Sequence, residues 1–260
     1  MGTPRLAIAL FLGLVSGAAQ QTSVTRPQGL TPASPATAAD ETLSPEKRGD
    51  IMMARRAYRD AIEVYLQAPK NEATVLNKIG IAYHQIAQFD QAKKYYEKAI
   101  KARRNYAEAY NNLGAVYYTK KSYRKAISSY KKALAINPNS ASFHMNLGTA
   151  YFARKKEADA VKEYQTALAL DPEVFEHRGN YGTVLEQRNT EERGKFYYTM
   201  AKLYAKSTRE DRNEIALRYL RRALEEGFKG QDKIAEEPDF AGLRELPEFK
   251  ELLAHEPRVL

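Results

Sequence analysis

The chain has 260 residues, 43% of them hydrophobic and 28% charged, a balance that suits a globular fold and excludes a wholly disordered one. It has no cysteine, which excludes disulfides, thiolate metal sites, a cysteine nucleophile and a lipoprotein-type lipid anchor. The formal net charge of +9 draws attention to acidic partners and says nothing about fold.

In chain order the first feature is the apolar run LAIALFLGLV, residues 6–15, preceded by Arg5 and followed by the small residues of SGAAQQ. It has the length of a signal-peptide core and is too short to span a bilayer as a helix. The reading is a signal peptide over residues 1–19 and a periplasmic or secreted protein, with an uncleaved membrane tether as the alternative. Leu6 stands where an N-myristoylation motif needs Ser or Thr. Residues 20–45 hold Pro27, Pro32, Pro35 and Pro45 among Thr, Ser and Ala, with almost no large apolar side chains. Such a segment cannot bury a core and is expected to be a flexible linker.

From residue 46 the chain repeats itself. Gly80, Gly114, Gly148 and Gly182 are spaced 34 apart. The same period relates Tyr83, Tyr117 and Tyr151, then Ala92, Ala126 and Ala160, then Tyr96, Tyr130 and Tyr164, then Ala99, Ala133 and Ala167. Within one unit Tyr110, Leu113, Gly114 and Tyr117 share one helix face, and Ala126, Tyr130, Ala133 and Leu134 share the face of a second. Pro138 ends that second helix, because proline cannot continue the hydrogen-bond ladder. The expectation is an antiparallel pair in which Gly114 and Ala126 face each other, with tyrosines filling the wider space beside them. One pair cannot bury both faces, so neighbours must stack.

These columns resemble the tetratricopeptide repeat family, whose pattern is matched by Tyr110, Leu113, Gly114, Tyr117, Ala126, Tyr130, Ala133 and Pro138. His144, Leu147, Gly148, Tyr151, Ala160, Tyr164, Ala167 and Pro172 match it again. The resemblance implies an all-α, right-handed superhelix of stacked helix-turn-helix repeats. Repeats 1–5 are expected over residues 46–193, the first short (Gly49 to Gly80 is 31 residues) and the fifth degenerate. A divergent helix pair is expected over 194–227, with Met200, Ala201 and Tyr204 on its first helix, Ala216, Leu220 and Ala223 on its second, and Gly227 as a stop. Residues 228–260, broken at Pro238 and Pro247, are read as a cap over the last apolar face, or else as a binding element.

The sequence offers no catalytic, metal or cofactor motif, so an enzyme is not expected. His144 sits in a packing column. Twelve Lys and Arg side chains lie between Lys93 and Lys132 against Glu97 and Glu108, most of them on second helices, which form the outer wall in this fold. They form either a solvated face or a surface for an acidic protein or an anionic membrane. Nucleic acid is not expected, since no recognition motif accompanies the charge.

Helix geometry places the side of each first helix that faces away from its partner on the inner wall. Asn112, Asn146 and Asn180 recur there at intervals of 34, with Tyr118, Thr149, Phe152 and Thr183 beside them. An asparagine amide is both donor and acceptor and can pair with a peptide backbone. The family uses such a ladder to hold extended peptides, so these seven residues are the candidate binding set for a protein or peptide. The basic clamp of some chaperone-binding members is not matched, because its columns hold Asn77, Asn111, Met145 and Ser142. The expected function is an exported scaffold or adaptor. The alternative is a membrane- or envelope-associated component using the basic outer face.

Overall fold

The computed structural model describes residues 43–175 and 189–254, all within the larger of two units, Thr42–Leu260. The leader, linker residues 20–42, and the Tyr181, Gly182 and Leu185 columns lie outside the described residues, while Ser44 and Pro45, expected in the linker, cap and open the first helix. The described residues form helices and turns, with no strand among them. Four helix pairs follow one another: α1 (Pro45–Ala54) with α2 (Tyr58–Tyr65), α3 (Ala73–Gln85) with α4 (Phe89–Ala102), α5 (Ala107–Thr119) with α6 (Tyr123–Ile136), and α7 (Ala141–Ala153) with α8 (Glu157–Leu170). A fifth described pair is α9 (Thr190–Ala205) with α10 (Arg212–Glu225). The described residues close with α11 (Gln231–Glu236), a 3-10 turn at Pro238–Phe240 and α12 (Pro247–Ala254).

The glycine column is set by the tyrosine column. A Cβ built on Gly49, Gly80, Gly114 or Gly148 would stand 2.3–2.7 Å from ring carbons of Tyr65, Tyr96, Tyr130 or Tyr164 respectively. Each ring belongs to the second helix of the same pair and is at most 3% exposed. The tyrosine ring covers the glycine, a contact beyond the expected facing of Gly114 and Ala126. Ala92, Ala126 and Ala160 are fully buried, and the Ala160 carbonyl comes within 3.2 Å of the Gly148 Cβ position. Small residues on both helices let a flat ring fill the crossing at close approach.

The four turns between paired helices share one device, which the sequence does not advertise. Arg56, Ala87, Lys121 and Lys155 all have φ between 55° and 59°. The next residue's N–H reaches back to the carbonyl five residues earlier, as in Gln88 to Tyr83 at 2.9 Å and Ser122 to Tyr117 at 2.8 Å. This is a Schellman stop built without glycine. At the end of α10 the same pair of bonds is made around Gly227, which has φ 74° and stands where a stop is expected.

First helices α3, α5 and α7 lie closer to one another than second helices α4, α6 and α8 do. The first helices therefore line the inner wall of the solenoid and the second helices its outer wall. The register of the fifth described pair differs from the 34-residue beat. α9 begins at Thr190, ahead of the expected boundary at 194, with the Asn189 side chain accepting from the Glu192 N–H at 2.8 Å. Asparagine is a strong N-cap, and here it starts the helix early. Phe196 of α9 then packs edge-on against Phe152 and Tyr164 of the preceding pair, at 5.7 and 5.9 Å between ring centres. Ala201, Tyr204, Ala216, Leu220 and Ala223 are all fully buried between α9 and α10.

The tail lies against this pair. Ile234, Phe240, Leu243 and Phe249 are buried in the same cluster as Met200 and Tyr204. Lys202 bridges Glu237 at 2.9 Å and Asp239 at 3.2 Å, and Tyr198 donates to Glu237 at 2.7 Å while stacking on Phe228. Apolar burial carries most of the docking energy, and the charge cluster fixes its register.

Candidate functional site

The inner wall is built from the asparagines of α3, α5 and α7. Asn112 Nδ2 donates to Asn77 Oδ1 at 3.1 Å, and Asn146 Nδ2 donates to Asn111 Oδ1 at 2.9 Å. Asn111 Nδ2 reaches Asn112 Oδ1 at 3.5 Å and joins the two bonds into one chain of four amides. The structure thus brings Asn112 and Asn146 together through two members that the candidate set lacked, Asn77 and Asn111. The signal for them was present, because each bonded pair is 35 residues apart, one step off the repeat. A full amide has two N–H donors and two acceptor lone pairs. These bonds use one donor and one acceptor site on each of Asn111 and Asn112.

A cavity of about 360 Å³ opens in front of this chain. Its lining includes Ile81, His84, Phe89, Ala115, Tyr118 and the three amides of Asn111, Asn112 and Asn146. Among the described residues, no Lys, Arg, Asp or Glu lines it. The His84 ring stands edge-on to Phe89, and burial pushes its pKa below the ordinary histidine range. The site therefore presents neutral donors and acceptors between apolar walls.

The other candidates fall differently. Tyr118 is buried and lines the cavity. Thr149 is buried too, with its hydroxyl donating to the Met145 carbonyl at 2.9 Å and accepting from Tyr164 at 3.3 Å. Phe152 is buried against Phe196 and lines a second cavity, of about 380 Å³, beside α8, α9 and Phe228. The physical reason is that a first helix is packed on more than one side. Phe152 meets the next pair through Phe196 and Thr149 meets Tyr164 of its own partner α8, so the inner face is narrower than a helical wheel suggests. Asn180 and Thr183 lie outside the described residues.

His144 is tied down as a packing residue. Its ring nitrogens contact Glu163 Oε2 at 2.6 Å and the Pro138 carbonyl at 2.9 Å, which binds the turn before α7 to α8. Among the described residues no group of His, Asp and Glu is placed to hold a metal ion.

Models of the tetratricopeptide repeat match residues 46–105, 107–140 and 141–174, the same residues that build the glycine–tyrosine crossings and the amide chain. The chain is a tetratricopeptide repeat protein. Repeats of this family are interaction modules, and the protein is a protein-binding scaffold rather than an enzyme. Among solved structures it is similar to MamA (41-end) from Desulfovibrio magneticus RS-1, with 21% identity, 73% of this chain and 96% of that one covered, and a TM-score of 0.49. It is similar to YrrB, described as a tetratricopeptide repeat protein with an unusual peptide-binding site, at 16% identity, with 73% and 88% coverage and a TM-score of 0.47. It also resembles the first repeat domain of Spaghetti (RPAP3), solved with an HSP90 peptide, at 26% identity, with 46% and 94% coverage and a TM-score of 0.40. No curated protein matches the chain.

Proposed function

We propose that the inner groove binds an extended, uncharged protein segment carrying an apolar side chain. The observation that carries this reading is the amide chain Asn77–Asn112–Asn111–Asn146 beside a cavity whose described lining holds no charged residue. Amides already held by one another present their remaining donors and acceptors in fixed directions, so little side-chain entropy is lost when a backbone docks. Ile81, Phe89 and Tyr118 offer a ligand side chain an apolar seat. A peptide ending in a carboxylate, or rich in acidic residues, would find no cation there. The apolar run at residues 6–15 supports a scaffold that works outside the cytoplasm.

Panning a random peptide library against the full chain tests this. Selected peptides should be poor in charge, and Ala115→Arg, which fills the cavity, should abolish their binding while Lys121→Glu on the outer side leaves it intact. Binding should change little between about 0.1 and 1 M salt, because screening acts on charges and not on neutral hydrogen bonds. Selection of acidic peptides indifferent to Ala115→Arg would contradict the reading.

A further inference from the structure

The outer wall holds a second surface, independent of the groove. Lys94, Lys98 and Lys101 on α4 and Arg124, Lys125 and Lys132 on α6 are all exposed. α6 contains no carboxylate, and Glu97 of α4 pairs with Lys93 at 3.7 Å. None of the six cations makes an ion pair among the described residues. The charge stops at the neighbouring outer helices: α2 carries Asp60 and Glu63 against Arg59, and α8 carries Glu157, Asp159 and Glu163 against Lys162. Half-buried tyrosines lie beneath the band. Lys98 sits 4.5 Å from the ring centre of Tyr95, Lys125 5.7 Å from Tyr117 and Lys132 5.8 Å from Tyr110.

We propose that this two-helix band docks on an anionic phospholipid surface. A convex wall can touch a flat partner only along a narrow strip, and the six cations without an ion pair or a neighbouring free carboxylate lie on two adjacent helices, a strip about 20 Å wide. None of the six cations lines either cavity described above, so the band recognises charge density rather than a shaped ligand. Aromatic rings beside unpaired cations suit the headgroup layer, where tyrosine and lysine both concentrate. The groove, on the opposite wall, stays open to its peptide.

The test is sedimentation of the full chain with phosphatidylcholine vesicles, with and without phosphatidylglycerol. The neutral vesicles report whatever the N-terminal apolar run contributes alone. Binding should be stronger on the anionic vesicles by at least about tenfold, and that excess should vanish near 1 M salt. The variant Lys94→Glu/Lys101→Glu/Arg124→Glu should lose the excess. A control with the same change in net charge elsewhere, Arg221→Glu/Lys229→Glu/Lys233→Glu, should keep most of it. Thermal melting of both variants checks that each folds, and the salt dependence of the unaltered chain needs no variant. Equal binding to both vesicle types would overturn the proposal. So would equal loss in the two variants, which would mean net charge acts without a site. Capture of polyglutamate by the band without binding to anionic vesicles would assign the surface to an acidic protein instead, and would also overturn it.

Discussion

The ring of Tyr130 lies against the backbone of Gly114, with its Cε1 2.6 Å from where a Cβ on that glycine would stand. Ordinary carbon contacts are wider than this, so the pair fixes how closely α5 and α6 approach. The same contact recurs between Gly80 and Tyr96 and between Gly148 and Tyr164, which makes it the repeating unit of the solenoid's core.

Gly114→Ala should therefore destabilise the fold by about 1–3 kcal/mol, because a buried aromatic ring cannot swing away without moving its neighbours. Gly242→Ala, where no atom lies within 4 Å of the added carbon, should change stability by less than about 0.5 kcal/mol. Urea unfolding of the two variants makes the comparison. Equal midpoints would mean that the ring does not seat on the glycine.

Lys155→Gly should do the reverse of what glycine usually does near a helix. Lys155 holds φ 57° at the stop between α7 and α8, a conformation that costs a residue with a Cβ about 1–2 kcal/mol. Glycine removes that cost and gives back part of it through a freer unfolded chain, for a net gain of up to about 1 kcal/mol. A raised melting temperature supports the assignment, and a lowered one would mean that the lysine side chain holds the turn by another contact.

Burial holds the pKa of His84 below its ordinary value, so the unfolded chain takes up this proton first as pH falls. The neutral ring's contribution to stability is complete above about pH 6.5 and is lost as the pH drops from there toward the folded value. The unaltered chain should lose stability more steeply than His84→Leu between about pH 7 and pH 5.5. Parallel pH profiles would show that the ring is solvated in the folded state.

Much of the solenoid was legible because its core repeats. Gly114, Ala126 and Tyr130 could be assigned to facing helices from spacing alone, although which of them touched was not. The partner of Gly114 depended on ring orientation, which periodicity does not encode. The Schellman stops at Ala87 and Lys121 were invisible because the residue type there is not the usual glycine. In the groove, a column of asparagines 34 apart was readable, but the bonds run 35 apart, between adjacent columns. Thr149 and Phe152 are buried through contacts that a helical wheel does not show, Thr149 with Tyr164 of its own partner helix and Phe152 with Phe196 of the next pair. The start of α9 was missed because the Asn189 cap lies where the repeat pattern had already faded.

The most direct measurement is NMR of the chain labelled with nitrogen-15 at asparagine, titrated with a peptide selected by panning. The side-chain amide signals of Asn111, Asn112 and Asn146 should shift on binding, with the Asn77 signal following through its bond to Asn112. Those of Asn137 and Asn139, in the exposed turn between α6 and α7, should stay in place. Shifts confined to Asn137 and Asn139, with the four groove amides unmoved at saturation, would contradict the assignment of the inner wall as the binding surface.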